Sequence, residues 1–357
     1  MTALAPSPER SRPPTEAMLV ANGAEGHVGY HWRQAAGELG LNFEWMEAAE
    51  AWRGPAWWRR WCWHVLGRRP PGLLRFECEL LAKCRRLRPR LLLVSGITPP
   101  RARLLRELSV MGIKTANFLT DHPLNPAHRS AWFLRALPEY SVVFSPRRAM
   151  ESELKHRLHC QRVENSCFAY NPAVHHSPTQ DDIRAFTRHV AAAAVFIGAA
   201  DEDRVRWLRG LPAAGLPVAL WGGYWQRHAE LAAHSQGMAD ASTCRAAVLQ
   251  AGINLGLVRD ANEDDHSMRS FEMPAVGGLL AMRHSSLHRQ LFGAHGEAVF
   301  YFSTPDELVE ACQLGLGLPL AKRLEMKQRC HAAVVRGRHR YVDRLSDMLS
   351  MLRDVAT

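Results

Sequence analysis

Short apolar runs alternate with longer amphipathic segments along most of this chain. The runs in the first half that predict buried strands begin at Met18, Arg90, Thr115 and Tyr140. Between them, residues 30–39 and 100–111 place their apolar side chains at helical spacing. Apolar strands separated by helices favour a parallel sheet covered on both faces, with right-handed crossovers. The first half therefore predicts a doubly wound, Rossmann-like domain.

The same alternation restarts after a polar stretch, residues 171–182. This stretch contains two prolines and two histidines, a composition typical of an interdomain linker. Further strand candidates follow at residues 191–198, 218–223, 251–257, 278–282 and 298–302. We therefore predict an α/β protein with two Rossmann-like doubly wound domains that face each other across a cleft. Such folds bind ligands at the carboxyl ends of their strands.

The length of 357 residues suits two domains of ~150 residues each. We predict a disordered tail over residues 1–16, an amino-terminal domain over 17–175, a carboxy-terminal domain over 176–337 and a final helical segment over 338–357. By analogy with other chains of this architecture, the final helix crosses back onto the first domain.

Composition narrows the classes of function. A hydrophobic fraction of 47% and a charged fraction of 22% are typical of a folded protein. The chain has no apolar run of ~18 residues, and its first residues lack the apolar core of a signal peptide, so we expect a cytoplasmic location. Eight cysteines without a Cys-x-x-Cys pair argue against a zinc knuckle or a redox dithiol. The net charge of +10 indicates anionic partners, which include nucleic acid, acidic lipid and phosphorylated small molecules.

Three stretches together resemble one family. The first is Val94-Ser-Gly followed by Gly112-Ile-Lys-Thr-Ala-Asn-Phe-Leu-Thr-Asp-His-Pro. The second is Val195-Phe-Ile-Gly with Gly215-Leu-Pro-Val-Ala-Leu-Trp-Gly. The third is Met268-Arg-Ser-Phe-Glu-Met-Pro-Ala-Val-Gly-Gly-Leu-Leu-Ala, followed by Glu297-Ala-Val-Phe-Tyr-Phe-Ser-Thr-Pro-Asp-Glu-Leu. They resemble the CgeB-like glycosyltransferase group, relatives of the retaining GT-B transferases, in which a nucleotide sugar lies between two Rossmann-like domains.

The resemblance implies transfer of a sugar from a nucleoside diphosphate sugar to a hydroxyl acceptor, with no metal and no further cofactor. It implies that Glu272 holds the ribose hydroxyls and that the helix carrying Glu272 points its amino end at the diphosphate. The physics agrees, because a carboxylate accepts two hydrogen bonds from a vicinal diol and a helix start attracts phosphate. Arg269 shares the helical face of Glu272, and its guanidinium is our candidate for stabilising the leaving diphosphate. Asp264 stands where many relatives carry a sugar-contacting glutamate.

Further candidates lie in loops that follow predicted strands. We predict that Gly198, Trp221, Gly222 and Gly223 line the diphosphate and base pocket, and that Gly23 and Gly26 face the acceptor or the diphosphate. We add Gly277 of the third stretch to the substrate-binding set. Asp121 and His122 are candidates for acceptor contact or proton transfer. Plainer interpretations stay open, namely a tight turn for the first glycines and a turn aspartate before Pro123.

Two patterns suggest metal binding, and we interpret both without a metal. Asp201-Glu-Asp203 is a literal Asp-x-Asp, the pattern that holds a divalent ion in GT-A transferases. These acids also open a predicted helix, where negative charge is stabilising by itself, and we favour that interpretation. His284 and His288 have helical spacing but no acidic third ligand nearby.

A tryptophan- and arginine-rich segment, residues 52–69, offers a further partner. Indole and guanidinium groups together favour a lipid headgroup boundary, so this segment suits peripheral binding to the anionic inner face of a membrane and an envelope or lipid-linked acceptor. Packing on the core or in a dimer interface is the alternative. We find no nucleic-acid-binding module. The alternative functions are a nucleotide-sugar epimerase and a non-catalytic scaffold that binds glycan or membrane.

Overall fold

The computed structural model describes residues 15–258 and 265–353. The predicted tail over residues 1–16 falls almost wholly outside these ranges, and Asp264 lies outside them. The chain divides into two compact units. The first ends at Phe144 and also contains Ser152–Glu164, whereas the second consists of Ser145–Glu151 and the chain from Asn165 onwards.

The first six-stranded sheet has the order β2-β1-β3-β4-β5-β6. Its strands are β1 (Ala17–Ala21), β2 (Phe43–Glu47), β3 (Leu91–Ser95), β4 (Lys114–Phe118), β5 (Val142–Ser145) and β6 (Val163–Asn165). The helices of this part are α1 (Val28–Glu38), α2 (Ala56–His64), α3 (Leu73–Leu87), α4 (Ala102–Val110) and α5 (Ala131–Leu134). Strands β1 and β3 are buried at every position because both faces of the sheet are covered.

The second six-stranded sheet has the order β12-β11-β10-β7-β8-β9. Its strands are β7 (Ala194–Ile197), β8 (Val218–Trp221), β9 (Ser235–Gly237), β10 (Ile253–Gly256), β11 (Leu280–Arg283) and β12 (Phe300–Phe302). The helices are α6 (Gln180–Ala185), α7 (Glu202–Leu208), α8 (Gly210–Ala213), α9 (Ala229–Ala232), α10 (Ala241–Gln250), α11 (Arg269–Val276), α12 (Ser286–Phe292), α13 (Pro305–Leu316), α14 (Leu320–Val335) and α15 (Tyr341–Arg353). Within residues 15–258 and 265–353, no helix has the length and apolar character that crossing a membrane requires.

The prediction of two doubly wound Rossmann-like sheets is confirmed. Each sheet contains one switch point, where consecutive strands turn to opposite sides, between β1 and β3 in the first and between β7 and β10 in the second. The structure places α15 in the second unit. The predicted domain boundary at residue 175 and the return of the last helix to the first domain stay predictions.

The sheet of the second unit separates two apolar layers. Successive residues of a strand point to opposite faces, so Phe196 of β7 and Leu220 of β8 join one layer. Their neighbours Val195 and Ala219 join the other layer, together with Trp221. This alternation holds the strand ends in fixed positions, and the loops that leave those ends carry the candidate site.

The buried ion pair between Glu77 and Arg101 supports a stability prediction for the first unit. Arg101 Nη2 lies 2.6 Å from Glu77 Oε2, and the Glu77 side chain is only 9% exposed. The backbone N–H of Arg101 also donates to Glu77 Oε1 at 2.7 Å. Arg101→Ala leaves the carboxylate buried with that single donor, so we expect a loss of about 2–3 kcal/mol in the free energy of unfolding, measured by urea denaturation. The matched control is Arg85→Ala, which breaks an exposed pair with Glu107 and should cost less than about 1 kcal/mol. Equal losses would contradict the argument.

Candidate functional site

The switch point of the second sheet brings α11 to the end of β7. Strand β7 pairs with β8 on one side and β10 on the other, and α11 belongs to the crossover that leaves β10. Arg269 Nε donates a hydrogen bond to the carbonyl of Ile197, the last residue of β7. The first residue of α11 is therefore fixed beside Gly198, where open α/β sheets bind ligands.

Helix α11 presents both predicted side chains on its first turn. Arg269 is its first residue, and Glu272 follows three residues later on the same face. The N–H groups of Ser270, Phe271 and Glu272 already donate to the carbonyls of Ser267 and Met268. The helix dipole is therefore what favours an anionic ligand at this helix start.

A buried histidine, His288, holds the first turn of α11 through a hydrogen bond with Ser270. Ser270 Oγ lies 2.8 Å from His288 Nε2, and His288 Nδ1 lies 2.7 Å from the Arg283 carbonyl. Burial lowers the pKa of His288 to about 4, so the ring is neutral at pH 7. Nδ1 then carries the proton that the carbonyl accepts, and Nε2 accepts from the serine hydroxyl. His288 is thus used as a structural contact.

Glu272 faces a histidine that the sequence reasoning did not select. His175 Nε2 lies 3.6 Å from Glu272 Oε1, and the two side chains are 13% and 16% exposed. The backbone N–H of Asn171 donates to His175 Nδ1 at 3.0 Å. His175 belongs to the polar stretch that the sequence predicts as a linker. An imidazole inside such a stretch gives no periodic or motif signal.

The protonation state of His175 follows from its surroundings. Burial, together with the charges of Arg269 and Arg245, lowers the pKa of His175 to about 3. The ring is therefore neutral at pH 7, and because Nδ1 accepts a hydrogen bond, the proton lies on Nε2. The His175 Nε2 that lies 3.6 Å from Glu272 Oε1 is therefore a neutral N–H and adds no positive charge beside the carboxylate.

The stretch that carries His175 is fastened to the second unit. Arg245 of α10 forms an ion pair of 3.0 Å with Asp182 and donates to the Val174 carbonyl at 3.3 Å. Ser177 Oγ donates to the carbonyl of Val276, the last residue of α11, at 3.4 Å. These bonds hold the stretch along α11 and therefore fix the position of His175.

The predicted glycines after β7 and β8 bring the two loops into direct contact. Gly222 has a φ of +123°, and a Cβ on it would lie 2.4 Å from the Gly198 carbonyl oxygen. Trp225 Nε1 donates to the same oxygen at 2.9 Å, and the N–H of Ala200 donates to the Gly223 carbonyl at 2.9 Å. Gly222 is needed for the approach of the loops. Direct contact of these glycines with a substrate stays a prediction.

Trp221 is a core residue that also borders a cavity. Its side chain is buried, and its ring centroid lies 6.0 Å from that of Phe186. Both residues line a cavity of about 210 Å³ in the second unit, together with Gln236, Met238 and Thr243. A contact between Trp221 and a nucleotide base stays a prediction.

The structure places Asp121 and His122 in the turn after β4. Asp121 accepts from Thr120 Oγ1 at 3.0 Å. His122 is buried, its Nδ1 accepts from the Leu124 N–H at 3.2 Å, and its Nε2 lies 3.8 Å from Glu153 Oε2. The Asp121 side chain is 35% exposed, and its Oδ1 lies 3.9 Å from His128 Nε2. Acceptor contact or proton transfer by Asp121 and His122 stays a prediction.

The remaining predicted glycines shape turns. The N–H of Gly23, after β1, donates to Glu47 Oε2 at 2.9 Å, and Gly26 adopts a φ of +87°. Gly277 adopts a φ of +101° and ends α11, at the opposite end from Arg269. Only glycine adopts such angles without strain. Substrate contact by these three glycines stays a prediction.

A second cluster missed by the sequence reasoning lies just before α11. The Asp265 carboxylate accepts from His266 Nδ1 at 2.6 Å, and His266 Nε2 accepts from the Phe168 N–H at 3.2 Å. Burial disfavours the Cys167 thiolate, but the contact with His266 and the positive charge of Arg344 outweigh burial and lower the pKa of Cys167. The three residues are distant or unremarkable in sequence, so only the fold reveals the pairing.

Comparisons with known proteins agree with this architecture. Residues 204–350, which include α11, match the model of the Glycosyl transferase-like family. No curated protein matches the chain.

Similar solved structures cover nearly the whole chain. Sucrose-phosphate synthase from Thermosynechococcus elongatus has a TM-score of 0.66 at 12% identity, over 96% of this chain and 100% of that chain. An α,α-trehalose-phosphate synthase (UDP-forming) from Burkholderia vietnamiensis has a TM-score of 0.64 at 13% identity, over 96% and 100%. HepE from Anabaena in complex with UDP has a TM-score of 0.59 at 12% identity, over 95% and 100%. The fold is that of GT-B glycosyltransferases.

The contact between the β7 and β8 loops supports a prediction about Gly222. Gly222→Ala introduces a Cβ into the Gly198 carbonyl at a strained positive φ, so we expect a loss of about 2–4 kcal/mol in the free energy of unfolding. Gly223→Ala is the matched control, because a Cβ at Gly223 meets no atom within 4 Å. Its effect should stay below about 1 kcal/mol. Urea denaturation of both variants measures the difference, and similar stabilities would refute the proposed role of Gly222.

The Cys167 cluster predicts selective thiol reactivity. At pH 7 we expect iodoacetamide to alkylate Cys167 at least about tenfold faster than Cys244, because the thiolate is the nucleophile. Both thiols are half-buried, but burial raises the pKa of Cys244 to about 11. Peptide mass spectrometry measures both rates in one sample. His266→Ala should slow the reaction of Cys167 and leave Cys244 unchanged; equal slowing of both would instead indicate a general loss of structure.

Proposed function

We propose that this protein is a glycosyltransferase that moves a sugar from a nucleoside diphosphate sugar to a hydroxyl acceptor. The observation that carries the proposal is the position of Arg269 and Glu272 on the first turn of α11, with Arg269 bonded to the end of β7 at the switch point. The glycosyltransferase-like match over residues 204–350 includes this turn, and the GT-B fold supports the same activity.

In the proposed donor site, Glu272 binds the ribose of the nucleotide and Arg269 binds the diphosphate. Glu272 accepts hydrogen bonds from the two ribose hydroxyls, and the neutral His175 lies beside its carboxylate. Arg269 uses Nε for the Ile197 carbonyl, which leaves the two Nη groups to face the diphosphate. Among residues 15–258 and 265–353, these Nη groups make no hydrogen bond.

The proposed reaction needs positive charge where the leaving group forms. The bond between the anomeric carbon and the phosphate oxygen breaks, and its electron pair leaves with the nucleoside diphosphate. The acceptor oxygen bonds to the anomeric carbon and gives up its proton to a base or to water. Because negative charge grows on the phosphate during bond breaking, a fixed guanidinium stabilises the transition state more than the ground state. Retention of configuration is part of this proposal through the resemblance to the CgeB-like group.

The proposal requires no metal ion. Asp201 accepts from the Arg204 N–H at 2.9 Å and so caps α7, and Asp203 pairs with Arg206. The Asp-x-Asp pattern is thus explained by the helix, and Arg269 supplies the positive charge that a metal provides in other transferases.

The neighbours suggest where to begin with donors and acceptors. One similar structure contains UDP and another belongs to a UDP-forming enzyme, so UDP-sugars are the first donors to test. A lipid-linked or envelope glycan is our proposed acceptor class.

Nucleotide binding by single variants tests the division of labour in the donor site. Glu272→Gln should weaken UDP and uridine alike by about tenfold, because it removes charge from a ribose contact common to both. Arg269→Gln should weaken UDP by about tenfold and leave uridine unchanged, because uridine has no phosphate. Isothermal titration calorimetry measures both ligands.

The matched control is Arg206→Gln, which changes an exposed arginine of α7 and should alter neither affinity. Wild-type protein that binds no nucleoside diphosphate from a UDP, GDP and ADP panel would overturn the proposal. Incubation with a labelled donor then separates transfer from epimerisation, because only transfer consumes the acceptor.

A further inference from the structure

Helix α2 and the turn after it expose a cluster of large apolar side chains. Trp57 is 70% exposed, Trp61 52% and Trp63 40%, and they are followed by Val65 at 55% and Leu66 at 44%. Trp57 and Trp61 lie four residues apart in α2 and therefore share one face of the helix, and Val65 follows the last helical residue. A cluster of exposed large apolar side chains marks an interaction site.

The same segment is uniformly positive. Residues 51–76 contain six arginines and no aspartate or glutamate. Arg53 pairs with Glu50 and Arg75 pairs with Glu79. Among the residues that the structure describes, the other three exposed or half-exposed arginines that flank the tryptophans have no carboxylate partner; these are Arg59, Arg60 and Arg69. The free positive charges therefore lie beside the apolar face.

The turn after α2 is anchored to the first unit. Arg68 donates through both Nη groups to the carbonyls of Arg129 and Pro126, at 2.5 and 2.6 Å. Trp132 Nε1 donates to the Arg68 carbonyl at 3.0 Å. Cys62, on the opposite side of α2, is buried. The exposed tryptophans thus belong to a fixed helix whose inner side is already packed.

We propose that the surface of α2 and the turn after it, formed by the exposed Trp57, Trp61, Trp63, Val65 and Leu66 with Arg59, Arg60 and Arg69, binds an anionic lipid bilayer. Indole rings partition to the headgroup boundary, and arginines beside them attract anionic headgroups. A second copy of the chain fits less well, because self-association would bring two sets of unpaired arginines together. The inference does not depend on the proposed transfer activity, although such a surface would bring the protein to a lipid-linked acceptor.

Co-sedimentation with vesicles tests the proposal on the full chain. The probes are vesicles of phosphatidylcholine alone and vesicles of phosphatidylcholine mixed with phosphatidylglycerol. We expect binding to the anionic vesicles to exceed binding to the neutral ones by about tenfold or more, and to fall at high salt. Arg59→Gln with Arg60→Gln should remove most of this preference. Trp57→Ala with Trp61→Ala should weaken anionic binding by about tenfold.

Controls use exposed residues of the second unit. Leu320→Ala removes an apolar side chain that is 71% exposed on α14, and Arg329→Gln changes an exposed arginine. Neither should change vesicle binding. Wild-type protein that ignores both vesicle types, or binds both equally, would overturn the proposal. A dimer in light scattering without lipid that Trp57→Ala with Trp61→Ala converts to monomer would also overturn it, since a second copy would then be the occupant.

Discussion

The hydrogen bond from Arg269 Nε to the Ile197 carbonyl is the constraint on which the candidate site depends. It joins the first residue of α11 to the last residue of β7, so the crossover that leaves β10 begins at the switch point. The bond uses Nε of the guanidinium and so leaves both Nη groups for other partners. Without it, the first turn of α11 would lose this side-chain link to β7, and Glu272 would no longer be held at a defined distance from the end of that strand.

The central strands of both sheets were predictable from sequence, whereas three outer strands were not. β2, β6 and β9 lie at sheet edges or beside solvent, and their short, polar sequences, such as Ser235–Gly237, are only partly buried. An edge strand covers one hydrogen-bonding side of its neighbour and needs no continuous apolar run. The hydrophobic pattern therefore reports the buried strands, which include the edge strand β12, and misses the edge strands that are only partly buried.

Some residues of the candidate site were predictable from sequence and others were not. Arg269 and Glu272 were accessible to sequence reasoning because they share one helical motif, in which spacing fixes their common face. His175, which faces Glu272, and the Cys167 cluster depend on segments distant in sequence that the fold brings together. A polar stretch with prolines predicts a linker whether or not it packs on a domain. The contacts of residues 171–182 with α11 could therefore not be predicted from composition. Local spacing thus identified the nucleotide candidates and missed the residues that lie beside them.

The net charge of +10 overstates the number of positive side chains that are available to an anionic partner. Many arginines are used inside the fold: Arg323 donates to the carbonyls of Gly252, Gly315 and Leu316, and Arg204 donates to that of Ala199. Such a guanidinium donates hydrogen bonds to backbone carbonyls at a helix end or in a loop. Its donors are therefore not available to a ligand. Formal charge counts these residues equally with those of α2. Three properties together distinguish the arginines of α2: they are exposed, they have no carboxylate partner among the described residues, and they lie beside exposed tryptophans.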